Sequence, residues 1–386
     1  MAPLAALAGP VYPSIIDQTY ATSLLSPGAN LIVVATTIQA AVDAAAPGDV
    51  VFVPSGTYNE NVTVSTPGLT IVGPHNAVLN GAGLSGSNGI TVQPVSPSTS
   101  LIGFSLIGLN VENYSRNGIF LRGVNNYQIT SGQYTGNGSY GIFPVRSTNG
   151  VVANNTVSGS SDAGIYVGQS VGALIRDNTT SANTVGIEIE NTLNSTVTNN
   201  TSSNNSIGFI AVVLPGLSVK ETTGVTVTGN TFENNNQPNP VTDPTQPLSI
   251  LPGGVGALFA GANQALVTGN LITGNGSIGL GLFSQIPELA AMDPAIDPIP
   301  DFDVFTGNNV TGNGLTPDPK LELLGFPPAD IVWDGTGTDN GFADNAFGTS
   351  VPDPLPLPTP EPATGAILGG ALIALRATRR RRAFLG

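Results

Sequence analysis

The sequence predicts an all-β chain wound as a right-handed parallel β-helix, a solenoid of stacked rungs, with a short N-terminal capping helix. Two periodic markers and the composition predict it. A glycine followed by an apolar residue recurs at Gly118-Ile119, Gly141-Ile142, Gly164-Ile165, Gly186-Ile187 and Gly208-Phe209, in steps of 23, 23, 22 and 22 residues. Gly256-Ala257 follows after 48 residues and Gly279-Leu280 after a further 23. A second series runs through Asn155, Asn178, Asn200, Asn230, Asn270 and Asn308. Asn tolerates the left-handed backbone of tight turns, and amides at equivalent turns of successive rungs can hydrogen-bond along the stack. Only 9% of the 386 residues are charged and 49 are Gly, yet 40% are hydrophobic, enough for a large core and against wholesale disorder.

Composition also removes several chemistries. There is no Cys, so neither a disulfide nor a thiolate metal site is available, and a single His, His75, excludes a histidine cluster within one chain. Of the 11 basic residues, Arg376, Arg379, Arg380, Arg381 and Arg382 lie at the C-terminal end; before residue 358 the balance is 6 basic against 24 acidic, a net of −18. Phosphate binding needs a basic footprint, so nucleic acid is excluded as a partner. An acidic body suits an exported or calcium-exposed protein.

Along the chain, residues 1–30 read as an N-terminal extension without a clear pattern, and Met1–Gly9 carries no basic residue of the kind a secretory signal needs. Ile38, Ala41, Val42 and Ala45 share one face of a predicted helix over 37–46, stopped by Pro47 and Gly48. The alternating runs VVFVPSGTYNENVTV and LTIVG then predict strands. This opening, IQAAVDAAAPGDVVFVPSGTYNENVTV, closely resembles that of pectin-lyase-like β-helix proteins. The solenoid is predicted over 31–350, with insertions at 237–252 and 285–330, the latter a Pro- and Asp-rich loop or flap. The closing run from Asp330 resembles the last segment of such proteins, with Trp333, Phe342 and Phe347 covering the final rung.

A Pro-rich linker is predicted at 351–359 and a separate tail at 360–386. In that tail Pro360-Glu361-Pro362 precedes a thirteen-residue apolar run, Ala363–Leu375, and then the Arg cluster. The run is shorter than the ~20 residues of a comfortable membrane span. The order resembles the PEP-CTERM sorting signals of bacterial surface proteins. That resemblance implies export, transient anchoring in the membrane by the tail, and an exosortase-type enzyme as partner.

Side chains alternate along a strand, so the repeat frame separates inside from outside. One and three residues after the glycine stand the inward stacks, Ile119, Ile142, Ile165, Ile187 and Phe209, then Leu121, Pro144, Val167, Ile189 and Ala211. Two residues after it, facing out, stand Phe120, Phe143, Tyr166, Glu188 and Ile210; four after it stand Arg122, Val145, Gly168, Glu190 and Val212. Phe120, Phe143 and Tyr166 therefore predict an aromatic ridge about 10 Å long. Either a loop covers it, or it meets the C–H faces of sugar rings while Arg122 and Glu188 hydrogen-bond hydroxyls.

The string Tyr140-Gly141-Ile142-Phe143-Pro144-Val145 resembles the active-site motif of mannuronan epimerases, Y-G-apolar-D-P-H at this place in a rung. Phe143 stands where that family has Asp and Val145 where it has His, so base and charge stabilisation are both missing there. If catalysis is present, the candidates are Tyr140, Arg146 and Glu188, with Arg122 and Tyr166 beside them. Asp293, Asp297, Asp301 and Asp303 are candidate ligands for Ca²⁺, a possible cofactor, against the reading of a solvated acidic loop; Asp334, Asp339 and Asp344 form a similar set. Lys220-Glu221 is either a lyase base or an exposed pair, and His75 reads as a turn residue. The preferred reading is a non-catalytic surface or matrix protein that binds extracellular polysaccharide. The alternative is a polysaccharide lyase or uronate epimerase with a diverged site.

Overall fold

The computed structural model describes residues 15–357. The N-terminal residues 1–14 and the predicted sorting tail lie outside the described residues. All strand pairings along the solenoid are parallel, and the rungs stack into two long sheets. The eleven-stranded sheet carries the repeat glycines and runs from Val62–Val64 through Tyr140–Val145, Ala163–Gly168, Val185–Glu190, Ile207–Val212, Val255–Ala260 and Ile278–Phe283 to Ala329–Trp333 and Ser350–Val351. The other sheet supplies the remaining sides of each rung with short strands such as Thr226–Thr228 and Thr231–Glu233.

Register follows the glycine frame. Ile142 pairs with Ile165, Ile165 with Ile187, and Ile187 with Phe209, and all four side chains are fully buried in the core. Farther along, the core becomes aromatic: Phe259 meets Phe305 edge-on, and Phe305 stacks on Phe342 at 4.8 Å. Each repeat glycine sits where the rung turns into this sheet and neighbouring rungs press together. A Cβ on Gly208 would lie 2.6 Å from the Gly256 carbonyl oxygen, and one on Gly256 would lie 2.5 Å from that of Gly279. No larger residue fits at these rungs; the column ends on Asp330, which follows Gly279 in register.

The asparagine series forms a buried ladder. The Asn178 side-chain amide donates to Asn200 Oδ1 at 2.9 Å, Asn200 to Asn230, Asn230 to Asn270 and Asn270 to Asn308. The left-handed backbone falls on the preceding residue (Asn154, Asp177, Asn199), so these amides serve the stack rather than the turn. A second ladder, unanticipated, runs parallel through Asn183, Asn205, Asn235, Asn275 and Asn313 and ends on Asp330 Oδ1.

Both ends differ in detail from expectation. The capping helix is Ile38–Ala44, with the Thr37 hydroxyl accepting from the Ala40 N–H. A second helix, Gln18–Ser23, lies in the stretch predicted to lack pattern, and its Ala21 packs with Val50, Phe52, Val72 and Ile107. At the other end Phe342 is buried but Phe347 is exposed, because Leu355 packs against the core and the Phe342 N–H donates to the Pro356 carbonyl. The stretch read as a linker thus begins as part of the last rung, Val351 pairing with Val332. Within 285–330, residues 304–311 form a true rung segment paired with 266–273, leaving two separate insertions, 284–303 and 314–328. These two, with 213–221 and 236–254, leave the rungs at the two edges of the eleven-stranded sheet.

Candidate functional site

Because the insertions flank the eleven-stranded sheet and fold over its outer face, they wall a cleft of about 740 Å³ there. The floor is the outward column predicted from the frame, from Glu188 on: Glu188 pairs with Ile210 and Ile210 with Leu258, while Tyr166, one rung before Glu188, is buried beside it. Leu248, Leu251, Leu321 and Phe326 line it from the insertions. Most of the cleft is therefore aliphatic. Its other end is not: Tyr140, Asp162, Glu188 and Glu190 line the wall there.

The aromatic ridge exists, but as a packed group. Phe120 and Phe143 lie 5.4 Å apart, Tyr140 packs against Phe143 at 4.3 Å with the rings tilted by 31°, and Tyr166 meets Phe143 edge-on at 4.6 Å. Phe120, Tyr140 and Phe143 are half-buried and Tyr166 is buried. The Tyr166 ring lies over Gly168, where an added Cβ would sit 2.0 Å from the Tyr166 hydroxyl. That glycine lets the hydroxyl reach the next rung and donate to Glu190 Oε1 at 2.5 Å.

Burial dominates the electrostatics. It pushes the Glu190 carboxyl up to about 7; the Tyr166 hydroxyl works against this shift and the Asp162 charge adds to it. Burial, then Asp162 and Glu190, hold Glu188 well above the usual carboxylate range. Asp162 is raised by burial, opposed by the Tyr140 hydroxyl. Burial, with the neighbouring carboxylates, likewise raises both Tyr140 and Tyr166. Glu188 is 4% exposed, and its Oε2 has no hydrogen-bond partner. Among the described residues no Lys or Arg lines the cleft.

Of the predicted residues, Tyr140, Tyr166 and Glu188 come together, while Arg122 and Arg146 do not join them. Arg122 stands three rungs from Glu190 in the same column and is exposed. Arg146 falls on the following turn, with φ +51°, and its Nε donates to Gln169 Oε1 at 3.1 Å. The four aspartates proposed for calcium are separated. Asp293 pairs with Lys220 at 2.5 Å, which with two backbone amides holds its carboxyl down at about 2. Asp297 is exposed, Asp301 accepts from Thr338, and Asp303 is buried against the Ala265 N–H. Asp334 accepts from Ser284 and Thr336, while Asp339 and Asp344 occupy left-handed turn positions. Glu221 is exposed, and His75 Nε2 contacts the Ser131 carbonyl oxygen at 2.6 Å. Among the described residues no three His, Cys, Asp or Glu side chains are placed to share a metal ion. Asp162 and Glu190 were not singled out from the sequence. Asp162 carries a signal nonetheless, as the one carboxylate in a column two residues before the glycine that otherwise reads Arg116, Ser139, Thr184 and Ser206.

Fold and cleft together define a right-handed parallel β-helix protein with a ligand-sized cavity on the outer face of one sheet. Residues 44–246 match the NosD family, described as periplasmic copper-binding proteins, and the chain belongs to it. The family's periplasmic description sets the chain among exported β-helix proteins. Three similar solved structures share the fold. The A-module of the Azotobacter vinelandii mannuronan C-5 epimerase AlgE4 is 16% identical with a TM-score of 0.60, over 89% of this chain and 98% of that one. The A-module of the AlgE6 epimerase from the same organism is 17% identical at 0.56, over 81% and 92%. The DFA-IIIase of Arthrobacter chlorophenolicus A6 is 14% identical at 0.54, over 84% and 92%. No curated protein matches the sequence.

The family description implies copper, and the donor set does not fit it. Copper sites draw on thiolate, thioether and imidazole. This chain has no Cys, one His already engaged with a backbone carbonyl, and two Met, of which Met292 is exposed. The buried cluster in the cleft is made of carboxyl and phenol oxygens. Among the described residues no helix is long and apolar enough to cross a membrane.

Proposed function

We propose that this is an exported cell-surface or matrix β-helix protein that holds a saccharide, without turning it over, at the aromatic and carboxyl-lined end of its cleft. The observation that carries the reading is the meeting of Tyr140 with three carboxyls at one end of a walled cavity, the Phe143 and Tyr166 rings packing against it. Flat ring faces pack against sugar C–H groups, and carboxyl oxygens accept from hydroxyls. A uronate polymer suits the site poorly, since its charge would face three acids and, among the described residues, no cation lines the cleft. Glycan-array binding tests the proposal. Phe143→Ala or Tyr166→Ala is expected to weaken retention by about 1 kcal/mol or more each; unchanged binding in both removes this surface from the mechanism.

One observation favours a second reading, an acid–base enzyme. Glu190, held up at about 7 and bonded to Tyr166, is poised to exchange a proton near neutral pH. A product assay on every array hit separates the two, because cleaved or epimerised glycan would replace binding by catalysis. The order of Pro360-Glu361-Pro362, the apolar run and the Arg cluster supports sorting to the surface through a processed tail and an exosortase-type partner. Mass spectrometry of the mature protein is expected to find Arg379–Arg382 removed, and an intact cluster would overturn this part.

A further inference from the structure

The aliphatic length of the cleft is unexplained by a saccharide, whose hydroxyls would be stripped of water there without partners. From Glu188 the floor continues through Ile210 and Leu258 to Phe283, walled by Leu251 and Leu321. At its polar end Glu188 Oε2 is buried and unpartnered, and a buried carboxyl oxygen in that state calls for a donor. Three carboxyls and the Tyr140 phenol line this end, with the buried Tyr166 ring packed 5.1 Å from Tyr140.

We propose that the cleft takes a cationic amphiphile, its primary ammonium held among Asp162, Glu188 and Glu190 and its aliphatic body lying along the apolar channel toward Phe283. An ammonium brings three N–H donors and one positive charge, which matches an unpartnered Glu188 Oε2 and two neighbouring carboxyls whose donors are neutral phenols. Tyr140, the phenol that lines this end of the cleft, adds cation–π attraction. Among the described residues no basic side chain already fills this role. Lys320 on the insertion above donates to the Ser249 carbonyl, and Lys220 is paired with Asp293. Arg116 belongs to the same column as Asp162 but stands two rungs away and is exposed. Asp334, at the far end, is engaged by Ser284 and Thr336.

An ammonium favours the ionised carboxyls, so binding releases protons wherever the free site still holds them, and affinity rises with pH until the cluster is ionised. Glu190, at about 7 in the free protein, puts much of that rise between pH 5 and 8. Within this range an alkyl primary amine stays protonated.

The proposal rests on the reading that this cleft is the binding site, and not on the saccharide. Calorimetry on the full chain with n-octylamine, n-octanol and octanoate tests it. Octylammonium is expected to bind at least tenfold more tightly at pH 8 than at pH 5, and at least tenfold more tightly than octanol at pH 8. Octanoate is expected not to bind. The Glu188→Gln, Glu190→Gln double variant should lose the preference for amine over alcohol while still binding octanol, which shows that the cleft remains folded. Equal affinity for amine and alcohol, or an amine affinity independent of pH, overturns the proposal. Glycan binding without octylammonium binding also overturns it and leaves the saccharide reading standing; the reverse result sinks the saccharide reading alone.

Discussion

Asp303 shows what one carboxyl costs in a column of amides. Its Oδ1 accepts from the Ala265 N–H and its backbone N–H donates to Asn340 Oδ1, so it takes a place along the stack of the kind the ladder amides fill. Its Oδ2 has no partner, and burial pushes the carboxyl from 3.8 up to about 8. In the unfolded chain the same group ionises near 3.8. Between those values the unfolded state binds fewer protons than the folded one, so stability falls as pH rises through the window. Glu190 acts in the same direction between 4.5 and about 7. Asp303→Asn keeps the Oδ1 acceptor without the charge. It is expected to raise the melting temperature by several degrees at pH 8 and to change it little at pH 4, as thermal denaturation at the two pH values would show. At this scale the sequence was legible where the frame alone decides orientation, as for Tyr166 and Glu188. It failed where a turn decides: Arg146 lies one residue beyond the strand, and its left-handed backbone takes it away from the carboxyls.

Each rung element is tied to its neighbours by two amide ladders, and their spacing was only half read. The second series lies five residues after the first, as in Asn178 and Asn183, Asn200 and Asn205, or Asn230 and Asn235. The pairing was therefore present in the sequence, but the surrounding Asn-rich turns masked which amides point inward. Asn230 donates to Asn270 Oδ1 and the Val197 carbonyl, and its own Oδ1 accepts from the Asn200 backbone and side chain. Asn230→Ala leaves several of those buried groups without partners at once, at about 1–3 kcal/mol for each group stranded. The expected loss is about 3 kcal/mol or more, read as a lower urea midpoint. A midpoint within the error of wild type would mean that water replaces the amide and that the ladder contributes little. The glycine column, by contrast, was legible from spacing alone, although its cause, close approach of carbonyls on adjacent rungs, emerges only from the stack.

Across the whole molecule the architecture was readable because a solenoid repeats its own instructions, and each additional rung confirms the last. The ends and insertions were not, because they occur once. The helix Gln18–Ser23 carries no repeat to recognise it by, and the rung over 304–311 is hidden between two Pro-rich insertions. The cleft belongs to the same unreadable class, since four segments distant in sequence meet only over the folded sheet. Val185 pairs with Ile207 across 22 residues, and Ile207 pairs with Val255 across 48, yet the two steps are equivalent in register. A chain built this way inherits its scaffold and its recognition surface separately. Exchanging the segment 236–254 or 284–303 between relatives would change what the cleft admits while the neighbouring rungs kept their pairing. New specificities could then arise by loop replacement in a single step, with no compensating change in the core.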